Sequence, residues 1–274
     1  MGALLALSSA VVYGVVDFAG GLLSRHVHHT AVSFLGQVGG LLLACAAALL
    51  MPADAVHGTD LLWGALSGVG SGVAMRFLNQ GLSRGAMSVV VPVSAVTGVV
   101  LSVLCGVLVL GDRPGTVAWL GIVVTVPALW LVSGGRAGAG RETADGLLAS
   151  VGVAVQYLAL GQAGPGSGLW PVAAGRVAAV LVLLPDAVRH ARRLRLPPGR
   201  CVQALLIGAG AALGLVLYLL AAQRQLLAVA VVVASLYPAL PVILGLALLH
   251  ERISTRQATG LLGAGVATVL LTLG

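Results

Sequence analysis

The sequence predicts an all-α integral membrane protein of about ten transmembrane helices, arranged as two inverted five-helix repeats. Three observations carry this. Only 8% of the residues are charged and 59% are hydrophobic, with a mean hydropathy of +1.06. A soluble domain carries about a quarter charged residues, so this chain cannot cover itself with a solvated surface. Apolar runs of the length a bilayer demands, about 17–25 residues, recur from one end to the other. Finally, one spacing of 139 residues brings several distant segments onto one another.

The runs are cut at charges and turn residues. The first, 3–23, stops at Arg25 and the histidines that follow, and the second, 32–51, at Pro52. The third covers 61–79. The fourth, 86–110, contains Pro92 and closes on Gly111-Asp112-Arg113, and the fifth, 116–134, closes on Gly135-Arg136. The sixth, 146–163, follows the linker "RAGAGRETAD" and ends at Gly164-Pro165. The seventh, 168–185, is short and leads into the arginine-rich linker "DAVRHARRLRLPPGR". The eighth spans 202–222. The ninth, 226–249, holds Pro238 and Pro241 and closes on His250-Glu251-Arg252; the tenth covers 257–273. No stretch between runs is long enough for a soluble domain.

The 139-residue spacing superposes "GQVGGLLL" from Gly36 on "GRVAAVLV" from Gly175. It also superposes Gly111-Asp112-Arg113 on His250-Glu251-Arg252, and Gly121 on Gly260. An internal duplication with repeats at 1–134 and 142–274 follows. Five spans per repeat is an odd number, so the halves insert with opposite orientation. Inverted repeats of this kind are frequent in secondary transporters, with the substrate bound near the midplane.

All 15 basic residues are arginine, a coding bias of GC-rich bacterial genomes. The net charge of +7 reads as arginines that orient a membrane protein, not as a nucleic-acid surface. Cys45, Cys105 and Cys201 are scattered without zinc or disulfide spacing, and read as small apolar fillers. The N-terminal run lacks a basic leader and exceeds signal-peptide length. Enzyme motifs are missing: there is no HExxH, no phosphate-cradling loop and no histidine deep in a span. No metal or cofactor is expected.

The acid–base pairs Asp112-Arg113 and Glu251-Arg252 read as structural. Each would bridge its own turn, with the acid offsetting the dipole of the helix that follows. Glycines at Gly64, Gly68 and Gly72, at Gly36 and Gly40, and at Gly210 and Gly214 fit close helix crossings. Pro92, Pro238 and Pro241 each remove a helix hydrogen bond and mark kinks.

Ionisable and polar groups within spans are costly and are functional candidates by default. Asp17 lies mid-span in the first run, with Tyr13 one turn before it, so both leave the same helical face. That face must turn inward. A carboxylate so placed can exchange a proton as a cavity alternates, or hold a cationic group, or simply fasten the first helix to a neighbour. Arg176 is the deep cation and has the neutral Gln37 as its repeat partner. It can bind an anionic group, pair with Asp17, or snorkel to the interface. Gln156, Tyr157, Tyr218 and Tyr237 complete the candidate binding or coupling set. Arg76, Asn79 and Gln80 lie near a span end, where snorkelling is expected.

The segments "ALLALSSAVVYGVVDFAGGLLSR", "PVSAVTGVVLSVLCGVLVLGDRP" and "ASLYPALPVILGLALLHERISTRQATGLLGAGVATVLL" resemble the EamA family of the drug/metabolite transporter superfamily. The Pro-containing span, the acid–base turn and the Gly-rich closing span carry the likeness in both halves. His250 and Gln37 depart from the usual Gly and Arg. The resemblance implies ten helices in two inverted repeats, moving small metabolites, with both termini inside. Arginine counts imply the reverse orientation. Odd-numbered connections carry eleven arginines and even ones only Arg113 and Arg224, which places the odd connections in the cytoplasm.

The function expected is therefore a secondary transporter in the bacterial cytoplasmic membrane. It would take a small-molecule metabolite as substrate, be embedded in lipid as a monomer or homodimer, and work without nucleic acid. A membrane scaffold or flippase-like accessory protein is the alternative. A channel is a third reading.

Overall fold

A computed structural model describes residues 2–105, 107–108, 115–132, 140–224 and 238–273. Among them are ten α-helices and no strand. They are α1 (Gly2–His26), α2 (His29–Leu50), α3 (Gly58–Arg84), α4 (Met87–Cys105) and α5 (Thr116–Val132). After these come α6 (Arg141–Gly161), α7 (Trp170–Arg189), α8 (Pro198–Arg224), α9 (Ala239–Leu248) and α10 (Thr255–Leu273). Short 3₁₀ turns sit at Pro165–Ser167 and Ala191–Leu194.

Six helices, α1, α2, α3, α6, α7 and α8, contain stretches of 20 residues or more that are long and apolar enough to cross a membrane. The run at 168–185, short on paper, becomes a full span because α7 continues through Pro185 to Arg189. Shorter apolar helices lie at Met87–Gly98, Trp119–Val132 and Ala239–Leu248. Asp112 and Arg113 lie outside the described residues. So does the first half of the ninth run, 226–237, and the described part begins at Pro238.

The packing suits lipid. Large apolar side chains cover the outside, as with Leu50 (83% exposed), Leu262 (74%) and Val126 (70%). The interior is rich in small ones, among them Ala31, Ala149, Ala179, Ala204 and Ala267. In hydrocarbon the apolar outside costs nothing, and association depends on backbones coming close. Two glycine crossings do this. Gly36 of α2 meets Gly208 of α8, and Gly68 of α3 meets Gly175 of α7, so closely that a side chain on Gly208 or Gly68 would run into the facing backbone. Two helices carry most of the framework: α8 receives α1 and α2, while α3 receives α6 and α7. In addition, α2 packs on α7 and α5 on α10.

The α1–α2, α3–α4, α7–α8 and α9–α10 connections share one end. There Arg25 donates to the Gly85 carbonyl (3.1 Å) and to Glu251 (2.9 Å), and the His28 and His190 rings stack at 5.2 Å. The α2–α3 and α6–α7 connections meet at the other end. Asp60 accepts from the Gly164 amide (2.9 Å) and the Ser167 hydroxyl (2.6 Å), and the Ala55 amide donates to the Gly166 carbonyl (3.2 Å).

The acids of the first end bind differently from the expected local pairs. Glu251 does not bridge its own turn to Arg252. It accepts from the Met87 and Ser88 amides, at 3.0 and 3.1 Å, and so caps α4, not the helix that follows it. The cause is a chain reversal: His250 takes a left-handed φ of 52°, and the Glu251 amide returns to the Gly245 carbonyl. The carboxylate therefore points across the bundle. Asp186 on α7 accepts from Thr30 (3.0 Å) and pairs with Arg76 (3.5 Å). Asp145 on α6 binds Arg84 and Gln80, each at 2.9 Å.

Candidate functional site

Asp17 lies on α1, eight residues before Arg25, about 12 Å from that helix end at 1.5 Å per residue. It is 9% exposed. Among the described residues no hydrogen bond or ion pair engages its carboxylate. Two small cavities share it. One, of about 20 Å³, reaches toward the α1–α2 connection and is lined by Gly20, Ser33, Gln37, Asn79 and Leu82. The other, of about 70 Å³, reaches toward the opposite end and is lined by Tyr13, Ser71, Gln156 and Tyr157. Asp17, Met75, Leu78, Arg176 and Ala211 line both, and so form the partition.

Arg176 enters from α7 and is 6% exposed. Its Nη1 donates to the Gln37 side-chain oxygen at 2.9 Å and approaches the Ser71 hydroxyl at 3.5 Å. Gln37 in turn donates to Ser71 at 3.4 Å. Arg176 neither pairs with Asp17 nor snorkels; its partners among the described residues are uncharged. Glycines make the room: a side chain at Gly40 would touch the Arg176 stem, and one at Gly214 would press into the Tyr13 ring. Tyr13 is near enough to Arg176 to interact with it electrostatically.

Asn79 corrects an expectation. It does not snorkel but is 5% exposed and donates to Ser33 at 3.0 Å, inside the first cavity. Gln80 turns to Asp145 instead of the interface. Arg76 is partly exposed but tied to Asp186. Ser33 and Ser71, which the sequence does not single out, hold the polar layer together; small hydroxyls in a glycine-rich span carry no signal of their own. Tyr157 stands at the rim, 41% exposed. Tyr218 lies on α8 with its side chain outside the described residues, and Tyr237 lies outside them altogether. Among the described residues no group of acids, cysteines and histidines is placed to hold a metal ion.

Both cavities are too small for a metabolite. About 70 Å³ is room for two or three waters at ~30 Å³ each, whereas small-molecule sites run to ~300 Å³ or more. The polar centre therefore has no room for a metabolite in this conformation.

An apolar bundle with six helices long and apolar enough to cross a membrane is that of a multi-pass membrane protein. The chain belongs to the EamA-like transporter family, which it matches over residues 1–134 and again over 146–273. That family lies within the drug/metabolite transporter superfamily, and its members are transporters. Among solved structures, one described only as a crystal structure of a protein aligns over 99% of this chain and 96% of its own. It does so at 16% identity and a TM-score of 0.59, a likeness of fold alone. No curated protein matches the chain.

Proposed function

We propose that the protein is a secondary transporter that moves a small metabolite across the bacterial cytoplasmic membrane by alternating access. Residues 1–134 and 142–274 would be two inverted five-helix repeats that rock about the polar centre, giving ten spans in all. The observation that carries the reading is Asp17. A carboxylate in hydrocarbon surroundings, with no partner among the described residues, is expensive to keep, and it sits where two half-cavities meet. In that position it meets substrate or proton from either side in turn. The double family match and the exchange-symmetric packing, α1 on α8 beside α6 on α3, support the two-repeat mechanism.

The test is counterflow in proteoliposomes with a panel of labelled metabolites at several pH values. A carrier saturates and exchanges. Asp17→Asn should insert and run as a monodisperse species, lose most of its exchange, and flatten whatever pH dependence the wild type has. Normal exchange with an unchanged pH profile would remove Asp17 from the mechanism. Steady, non-saturating flux would replace the carrier by a channel.

A further inference from the structure

We infer that Arg176 and Gln37 are one position of the fold occurring twice, meeting on the pseudo-twofold axis, and that the single guanidinium there holds a carboxylate group of the substrate. This rests on the transport reading above.

The equivalence comes from geometry. The two residues are 139 positions apart and bonded at 2.9 Å, and 139 is also the offset between the acid–base turns. Each follows a crossing glycine, Gly36 or Gly175. Those glycines meet Gly208 and Gly68, which are themselves 140 apart. The extra residue is accounted for in the loops: the α7–α8 connection, 190–197, is one longer than the α2–α3 connection, 51–57. Equivalent residues touch only where a twofold axis passes between them. The packing agrees, since exchanging the halves turns α2 on α8 into α7 on α3, and leaves α2 on α7 and α5 on α10 as they are.

The axis then carries one positive charge where symmetry offers two places. Arg176 is buried without a carboxylate within bonding distance among the described residues. Only its Nη1 donates to side chains among the described residues, and the residue lines both cavities. A buried cation left this way is costly, and the planar fork of guanidinium matches a carboxylate in two parallel bonds. Gln37 fixes the fork from the opposite repeat without neutralising it. A ligand on the axis lies between the two cavities that share Arg176, so the same contact can persist as the repeats rock.

The experiment reads thermal unfolding of purified protein in detergent, not transport, so it can fail while the Asp17→Asn test succeeds, or the reverse. The probes are acetate, lactate, succinate and citrate, each compared with its amide and with chloride at equal ionic strength. At least one carboxylate should raise the wild-type Tm by about 3 °C or more, as for a ligand well above its Kd, and its amide should not. Arg176→Gln should lose the shift. The exchanged variant Gln37→Arg/Arg176→Gln should regain it, because the cation returns to the axis from the other repeat. Three results overturn the inference. One is that no carboxylate protects the wild type. Another is that Arg176→Gln is protected equally. The last is that the exchanged variant is unprotected, or fails to fold where Arg176→Gln folds.

Discussion

Replacing Glu251 by glutamine should loosen the end of the bundle that holds the α1–α2 and α9–α10 connections. The carboxylate is 9% exposed and takes four hydrogen bonds: Met87 amide and Arg25 on Oε1, Ser88 amide and hydroxyl on Oε2. Glutamine fits the same space, but its amino group cannot accept. One of the two sides therefore loses its acceptor, and one of the first amides of α4 is orphaned. Hydrogen bonds to charged groups are worth about 1.5–3 kcal/mol, and the charge at a helix start adds about 0.3–1 kcal/mol. A net loss of about 2–3 kcal/mol is expected, or about 5–10 °C in Tm. Arg25→Gln should cost less, about 1 kcal/mol or below, because that side chain is 29% exposed and water replaces its bond. The pH dependence has a definite sign. Burial alone would raise the Glu251 carboxyl, but the Met87 and Ser88 amides, Arg25 and the Ser88 hydroxyl outweigh it and hold the group below its ordinary 4.5. A depressed folded value means stability that is full above 4.5 and is lost as pH falls toward the folded value. Differential scanning fluorimetry from pH 7 to pH 3.5 should show the wild type losing more than Glu251→Gln. A glutamine variant within about 1 °C of wild type at pH 7, or less stable Arg25→Gln than Glu251→Gln, would refute this account of the cap.

Gly68→Val and Gly208→Val should each abolish accumulation of folded protein by forcing helices apart, at a cost of about 3 kcal/mol or more. Gly199→Ala, with open space around it, should leave the size-exclusion peak unchanged; normal peaks for both valine variants would contradict the crossing. His28 is held below its ordinary 6.5 by burial, then by His190 and Arg193, with Asp186 opposing. Its folded value is depressed, so the unfolded chain binds the extra proton and stability falls as pH drops through 6.5. Between pH 7.5 and 5.5 the wild type should therefore lose more Tm than His28→Asn, and parallel curves would count against it.

Much of the fold was legible because lipid imposes a simple rule: a span must be apolar and about 20 residues long. Both the helices and the 139-residue offset follow from pattern alone. The offset even set Gln37 against Arg176 on paper, and the structure bonds them. Asp17 and Tyr13 share a helical face in the sequence and line one cavity in the structure. What pattern could not give is which element each polar group meets. Asn79 near a span end reads as a residue reaching for the interface, yet it is buried and donates to Ser33 on α2. Glu251 reads as the neighbour of Arg252 until the reversal at His250 turns it toward α4. Those outcomes depend on contacts between residues far apart in the chain, 46 positions for Asn79 with Ser33 and 164 for Glu251 with Met87, and no local periodicity encodes them.

The glycine crossings also bear on how the molecule is made. The helix that receives α1 and α2 is α8, so the first two helices to enter the membrane must wait for the eighth before their small-residue faces are covered. During synthesis those faces are open to lipid, and α3 likewise waits for α6 and α7. The N-terminal segment is therefore an unfinished surface, not an independently stable piece. It should be dependent on membrane chaperones until α8 arrives, and it should be rescued by the C-terminal segment supplied as a separate chain.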